Sequence, residues 1–264
     1  MRRFLSRCAI GAAIVSLFAS HARAQSVADS VISYNSVNAP PVFGGGAYDN
    51  ASASLGLPTA DTGFGDLTPF ESAFSKNQIT GIGPGGSLVL HMSQPVRANG
   101  VTLGVHAAVG LVDTDYPNGH TNALASTYTD PRIATLSVSQ DDVNFFPIGV
   151  KTFDLPSNYY AQGVTTPGND NTVGTPADFF KPFTGTLNDF ADKNWTQVQA
   201  ILNNSAGGNW LDLSSAGLPF INYVRFDVAP GNVMYVDSVV GTAVPEPVMC
   251  LLPAMLVFVR RPIK

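Results

Sequence analysis

Leu88-Val89-Leu90-His91-Met92 alternates with a period of two: Leu88, Leu90 and Met92 share one face, and Val89 and His91 share the other. That spacing fits a half-buried strand and not a helix. Val224-Arg225-Phe226-Asp227-Val228 repeats it, with charge only at the odd-numbered positions, so one face is wet. Comparable runs occur at 31–37, 100–105, 134–139, 145–150 and 234–240. Glycine (25) and proline (19) cut the chain between them, as the turns of an all-β domain require. Helical spacing appears once, through Leu187, Phe190, Ala191, Trp195, Val198, Ile201 and Leu202. Asn188 or Asp189 is placed to cap its start, and Asn203 to Asn209, with Gly207-Gly208, to end it. The expected fold is all-β with one short helix. Residues 40–86 and 155–186 form long Gly/Pro/Asn-rich loops, and loops of that length inside a domain often carry function.

The two ends differ from this body. Arg2, Arg3 and Arg7 precede an apolar segment from Cys8 to Ala19, and Ala22-Arg23-Ala24 supplies a small-x-small cleavage pattern. A signal peptide over 1–24 follows, cleaved between Ala24 and Gln25. At the other end come Val244-Pro245-Glu246-Pro247, an apolar run from Val248 to Val259, and then Arg260-Arg261. Pro245 and Pro247 can join neither a helix nor a sheet ladder, so the motif stays extended and accessible. The apolar run enters the bilayer as a short hydrophobic helix, and the arginine pair is retained on the cytoplasmic side. Twelve residues span roughly 18 Å against a core of about 30 Å, and Pro253 interrupts them. That length suits a transient anchor better than a permanent span.

This order of motif, apolar run and basic end resembles the PEP-CTERM sorting signal. The resemblance implies an exported substrate of an exosortase-type sorting protease, held by its tail and then displayed in the cell envelope or extracellular matrix. Pro245, Glu246, Pro247, Arg260 and Arg261 would be its sorting residues. Three regions result: the signal peptide 1–24, an ectodomain 25–243 and a sorting tail 244–264.

Both cysteines, Cys8 and Cys250, lie in the targeting ends, so the body has no disulfide and no thiol chemistry. The body carries seven basic residues against eighteen acidic ones, a net charge near −11, which argues against nucleic acid. Glu71 is its one glutamate. Aspartate suits turns and loop ends, so the imbalance again points to a turn-rich β domain with room for hard-cation sites.

Several stretches of the body have a family likeness: Ala53-Ser54-Leu55-Gly56-Leu57-Pro58, then Ile79 to Leu90, then Leu136-Ser137-Val138-Ser139-Gln140-Asp141-Asp142-Val143-Asn144-Phe145. Trp210-Leu211-Asp212-Leu213-Ser214, Tyr223-Val224-Arg225-Phe226 and Tyr235-Val236-Asp237-Ser238-Val239 close the series. Together they resemble PEP-CTERM ectodomains that look like jelly-roll β-sandwiches of the discoidin or galactose-binding type. The resemblance implies a hairpin at Ser139 to Phe145 and a buried acid or polar residue on the final strand, which Asp237 could supply. It says little about activity, because one sandwich hosts many functions.

Signatures of hydrolases, zinc proteases and nucleotide-binding loops are absent, and a paired-carboxylate glycosidase would have to use aspartates. The body's histidines, His91, His106 and His120, show no metal-ligand spacing. In Asp113-Thr114-Asp115-Tyr116-Pro117-Asn118-Gly119 the residues Asp113, Asp115 and Asn118 could converge on calcium. Pro117, an Asn-Gly pair one residue late and the missing bidentate glutamate depart from an EF-hand loop and favour a plain Asx-rich turn. Tyr159-Tyr160 with Phe179-Phe180 suit either a sugar platform or the underside of a covering loop. The expected function is a non-catalytic surface protein. A carbohydrate-binding module on matrix exopolysaccharide is the alternative, and a secreted hydrolase is a third.

Overall fold

The computed structural model describes residues 24–42, 45–63, 65–122, 132–164 and 174–245. Residues 1–23 of the signal peptide lie outside them. So do Glu246, Pro247, the apolar run and the arginine pair. Among the described residues, no helix is long and apolar enough to cross a membrane.

The period-two segments form the strands they predict, mostly longer. They are β1 (Gln25–Asn35), β2 (Thr80–Ile82), β3 (Ser87–Arg97), β4 (Val101–Ala107), β5 (Arg132–Ser139) and β6 (Phe146–Phe153). Then come β7 (Tyr160–Gln162), β8 (Thr175–Pro176), β9 (Asn209–Asp212), β10 (Phe220–Asp227) and β11 (Met234–Thr242). One antiparallel sheet runs in the order β6-β5-β10-β3-β1-β11-β4-β9, with β2 also on β11, and β7 pairs with β8 separately. β5 and β6 pair as a hairpin across Gln140 to Phe145, where the Asp141 carboxylate accepts the Val143 and Asn144 N–H groups.

β1 turns this sheet back on itself. Gln25 to Val27 pair with β11, whereas Ala28 to Asn35 pair with β3, with register shifts between Ala28 and Ser30 and between Val31 and Ser33. Such shifts bend a strand and increase its twist. The two halves therefore share one core: Leu88, Leu90, Leu136, Val224 and Phe226 from one meet Leu103, Val105, Val236 and Val239 from the other. At the far edges, the Asn209 amide on β9 donates to the Thr152 carbonyl on β6 (3.3 Å) and nearly closes the sheet.

β11 is buried at every position except Tyr235 and Thr242, because its outer face is covered too. Residues 174–186 supply part of the cover. Phe179 and Phe180 are buried and pack with Ala206 and Val240, which is the covering-loop role.

The single expected helix is two pieces. Leu187–Phe190 is a 3-10 turn, and the α-helix α1 spans only Trp195–Leu202. Asp192 sits at φ +55° between them, a conformation a continuing helix forbids. Each piece has its own capping box, Thr186 with Asp189 and Asn194 with Gln197, so the cap of α1 is Asn194 and not Asn188 or Asp189. The apolar spacing runs through the break because Phe190, Val198 and Leu202 all enter one cluster with Phe70 and Leu111. Asn203 ends the helix in the left-handed region.

Candidate functional site

A cleft of about 710 Å³ opens where β11 and β5 begin and β4 ends. That volume lies within the range usual for small-molecule sites. Its back wall is aromatic. Tyr48 donates its hydroxyl to the Phe74 carbonyl (2.6 Å) and meets Tyr235 edge to face, with ring centres 5.3 Å apart. The Arg132 guanidinium lies 4.1 Å over the Tyr235 ring, a cation–π contact buried at the first residue of β5. Burial pushes the hydroxyl pKa of Tyr48 and Tyr235 up, and the neighbouring Arg132 charge pulls both back. Both tyrosines remain neutral donors at any physiological pH. Two more rings line the mouth, Tyr116 at 61% exposed and Phe74 at 41% exposed.

Two carboxylates line the same cleft. Glu71, held by backbone hydrogen bonds with Thr68, is half-buried. Desolvation raises its pKa first, and the Asp113 charge adds to the rise. Asp113 is pinned: Oδ1 accepts the N–H groups of Asp115 and His120, both at 2.9 Å, and Oδ2 accepts that of Gly119 at 3.1 Å. The Asn118 N–H turns back to the Asp115 carbonyl (2.7 Å), and Thr114 N–H donates to His120 O (2.7 Å). These bonds draw the stretch from Asp113 to His120 into an Asx-type turn. Asp113, Asp115 and Asn118 are thus brought into one loop, with Asp113 facing the cleft. Among the described residues, no three His, Cys, Asp or Glu side chains gather in a way that could hold a metal ion.

A second polar group lies under the cover of β4 and β11. His106 Nδ1 is 3.0 Å from Ser157 Oγ, and both side chains are buried. Burial lowers the His106 pKa to about 4, so the ring is neutral. Its Nε2 and the Oγ of its cross-strand partner Ser238 have no hydrogen-bond partner among the described residues. Neither His106 nor Ser157 lines the cleft. His91 is half-exposed and forms a 2.7 Å pair with Asp29, the solvated role its strand face implies. His120 lies 3.6 Å from Asp192.

Asp237 is the buried acid of the final strand. It is 2% exposed, and burial raises its pKa to about 7 against the opposing hydrogen bonds from Thr59. Ala24 and Gln25 stand at the start of β1, beside the end of β11. Pro245 is the last residue described, and the rest of the sorting motif lies beyond it.

Sequence reasoning singled out Asp113 but missed the rest of the cleft. Tyr48, Glu71, Phe74, Tyr116, Arg132 and Tyr235 come from five separate segments with no common spacing. The one available signal was that Glu71 stands alone among the body's acids as a glutamate. No protein-family model matches the chain, and neither a curated protein nor a solved structure matches it.

Proposed function

We propose that this chain is an exported, non-catalytic cell-surface or matrix protein, sorted through the PEP-CTERM-like tail, whose body is a jelly-roll sandwich. The observation that supports it most is where the body's ends and its cleft lie. Gln25 pairs with Thr242, and the Val244 N–H donates to the Pro95 carbonyl (2.7 Å). The first and last strands of the body therefore begin and end side by side in the sheet. Tyr235, at the other end of β11, lines the cleft. Thr242 is seven residue steps along the strand from Tyr235, roughly 23 Å. A body held at the membrane by its tail would present the cleft outward.

The deciding experiment is fractionation in a host with an exosortase. Replacing Pro245 and Pro247 by Ala lets the motif join the apolar helix, so processing fails while membrane association persists. Normal trimming of that variant would overturn the sorting role.

The cleft also favours a second reading, a carbohydrate-binding module. Exposed aromatic rings beside hydrogen-bonding carboxylates suit a sugar, whose C–H face is apolar and whose edge is polar. Tyr116→Ala should abolish retention on matrix polysaccharide without lowering the melting temperature. Unchanged retention would remove the cleft from that role.

A further inference from the structure

We propose that the cleft selects an amine-bearing saccharide, its protonated amino group held by Glu71 and Asp113 and its sugar ring packed on Tyr116 and Phe74. This rests on the carbohydrate-binding reading and adds the charge class of the ligand.

Three observations converge on a cation. Glu71 and Asp113 line one cleft, and Asp113 is fixed by three backbone N–H bonds, so a negative pole stands ready-made beside aromatic surface. Glu71 is poorly solvated and repelled by Asp113, a cost that a bound ammonium would relieve. The cation that lines the cleft, Arg132, is 6% exposed and lies over the Tyr235 ring.

The rest of the body points the same way. Its net charge near −11 disfavours uronic-acid or sulfated saccharides through like-charge repulsion, and concentrates cations around it. Aromatic rings add to this, because their faces attract ammonium groups as well as sugar C–H surfaces. A neutral saccharide would use the rings and leave the repulsion between Glu71 and Asp113 unrelieved.

The test is calorimetric titration of the full-length chain with glucosamine oligosaccharides and with the N-acetylated oligosaccharides of equal length. It is run below the pKa of the amine and at two salt concentrations. Acetylation removes the charge and keeps the ring. The amine form should bind about tenfold tighter or more, as a charge-assisted hydrogen bond implies, and lose affinity with salt. Glu71→Gln should erase that preference, whereas Tyr116→Ala should weaken both ligands. Equal affinity for the two forms, or a preference that survives in Glu71→Gln, overturns the charge selectivity while leaving carbohydrate binding intact. Failure of both ligands to bind overturns the carbohydrate reading with it. Tighter binding of an oligouronate overturns the proposal from the opposite side.

Discussion

Thr59 clasps Asp237 across 178 residues of chain: its N–H donates to both carboxylate oxygens at 3.1 Å, and its hydroxyl donates to Oδ1 at 2.8 Å. The carboxyl is buried beside a register shift between Val236 and Ser238 in the β11–β4 ladder, so the long 40–86 loop is tied to the middle of the sheet through one acid. Removing the hydroxyl while keeping the shape, Thr59→Val, leaves a buried acceptor poorly satisfied. The cost should be roughly 1–3 kcal/mol. Urea unfolding with an unchanged slope would measure it.

His106 and Asp237 respond to pH with opposite signs. The folded His106 pKa is about 4 against 6.5 unfolded, so the unfolded chain binds more protons between those values. Its contribution is fully present above pH 6.5 and is lost as pH falls toward 4. The folded Asp237 pKa is about 7 against 3.8 unfolded, so the folded chain binds more protons there. That contribution is present below pH 3.8 and is lost as pH rises to 7. Over the shared window the two nearly cancel. Asp237→Asn should therefore expose a stability that climbs with pH from 4 to 6.5, by about 1.4 kcal/mol per unit at most. A His106→Gln chain should show the reverse slope. Chemical denaturation at pH 4.5, 5.5 and 6.5 reads both.

Leu90 is completely buried on β3, between β1 and β10 and inside the shared core. Leu90→Ala should cost about 2–5 kcal/mol, because the packed neighbours from both halves cannot close over the cavity. A melting curve like that of the parent would place β3 outside the core.

Gly83 follows β2, where a Cβ would overlap the Asn38 carbonyl oxygen and crowd Val37. The obstacle is backbone, so it cannot rotate away. Gly83→Ala should destabilise by about 1–3 kcal/mol, whereas Ala at Gly85, which meets nothing within 4 Å, suffers only from its positive φ. Paired melts of the two variants separate crowding from backbone strain.

Asp113 organises its turn through three N–H bonds, so Asp113→Ala should lower the melting temperature whether calcium or a chelator is present. A calcium-dependent rise in the parent that vanishes in Asp115→Ala would instead establish ion binding by mass action.

The strands were legible because a half-buried strand writes its two faces into adjacent residues. Leu88/His91 and Phe226/Arg225 need no partner to reveal which side is wet. The helix was over-read for a related reason. Phe190 and Val198 serve the same apolar cluster, so their spacing stays helical through Asp192, where the backbone does not. The excess of aspartate over glutamate pointed to a turn-rich β body, and eighteen acidic residues against seven basic ones made that body strongly acidic.

The sequence by itself thus determined local period, the strand inventory, the sign of the charge and the composition of both ends. Tertiary structure alone decided that β1 would divide its hydrogen bonds between β11 and β3, that Thr59 would meet Asp237, and that Glu71, Asp113, Tyr116 and Arg132 would line one cleft. Those relationships join residues tens to hundreds of positions apart. Nothing periodic encodes them, because they arise only when the bent sheet buries its core and brings strand ends and long loops to the same edge.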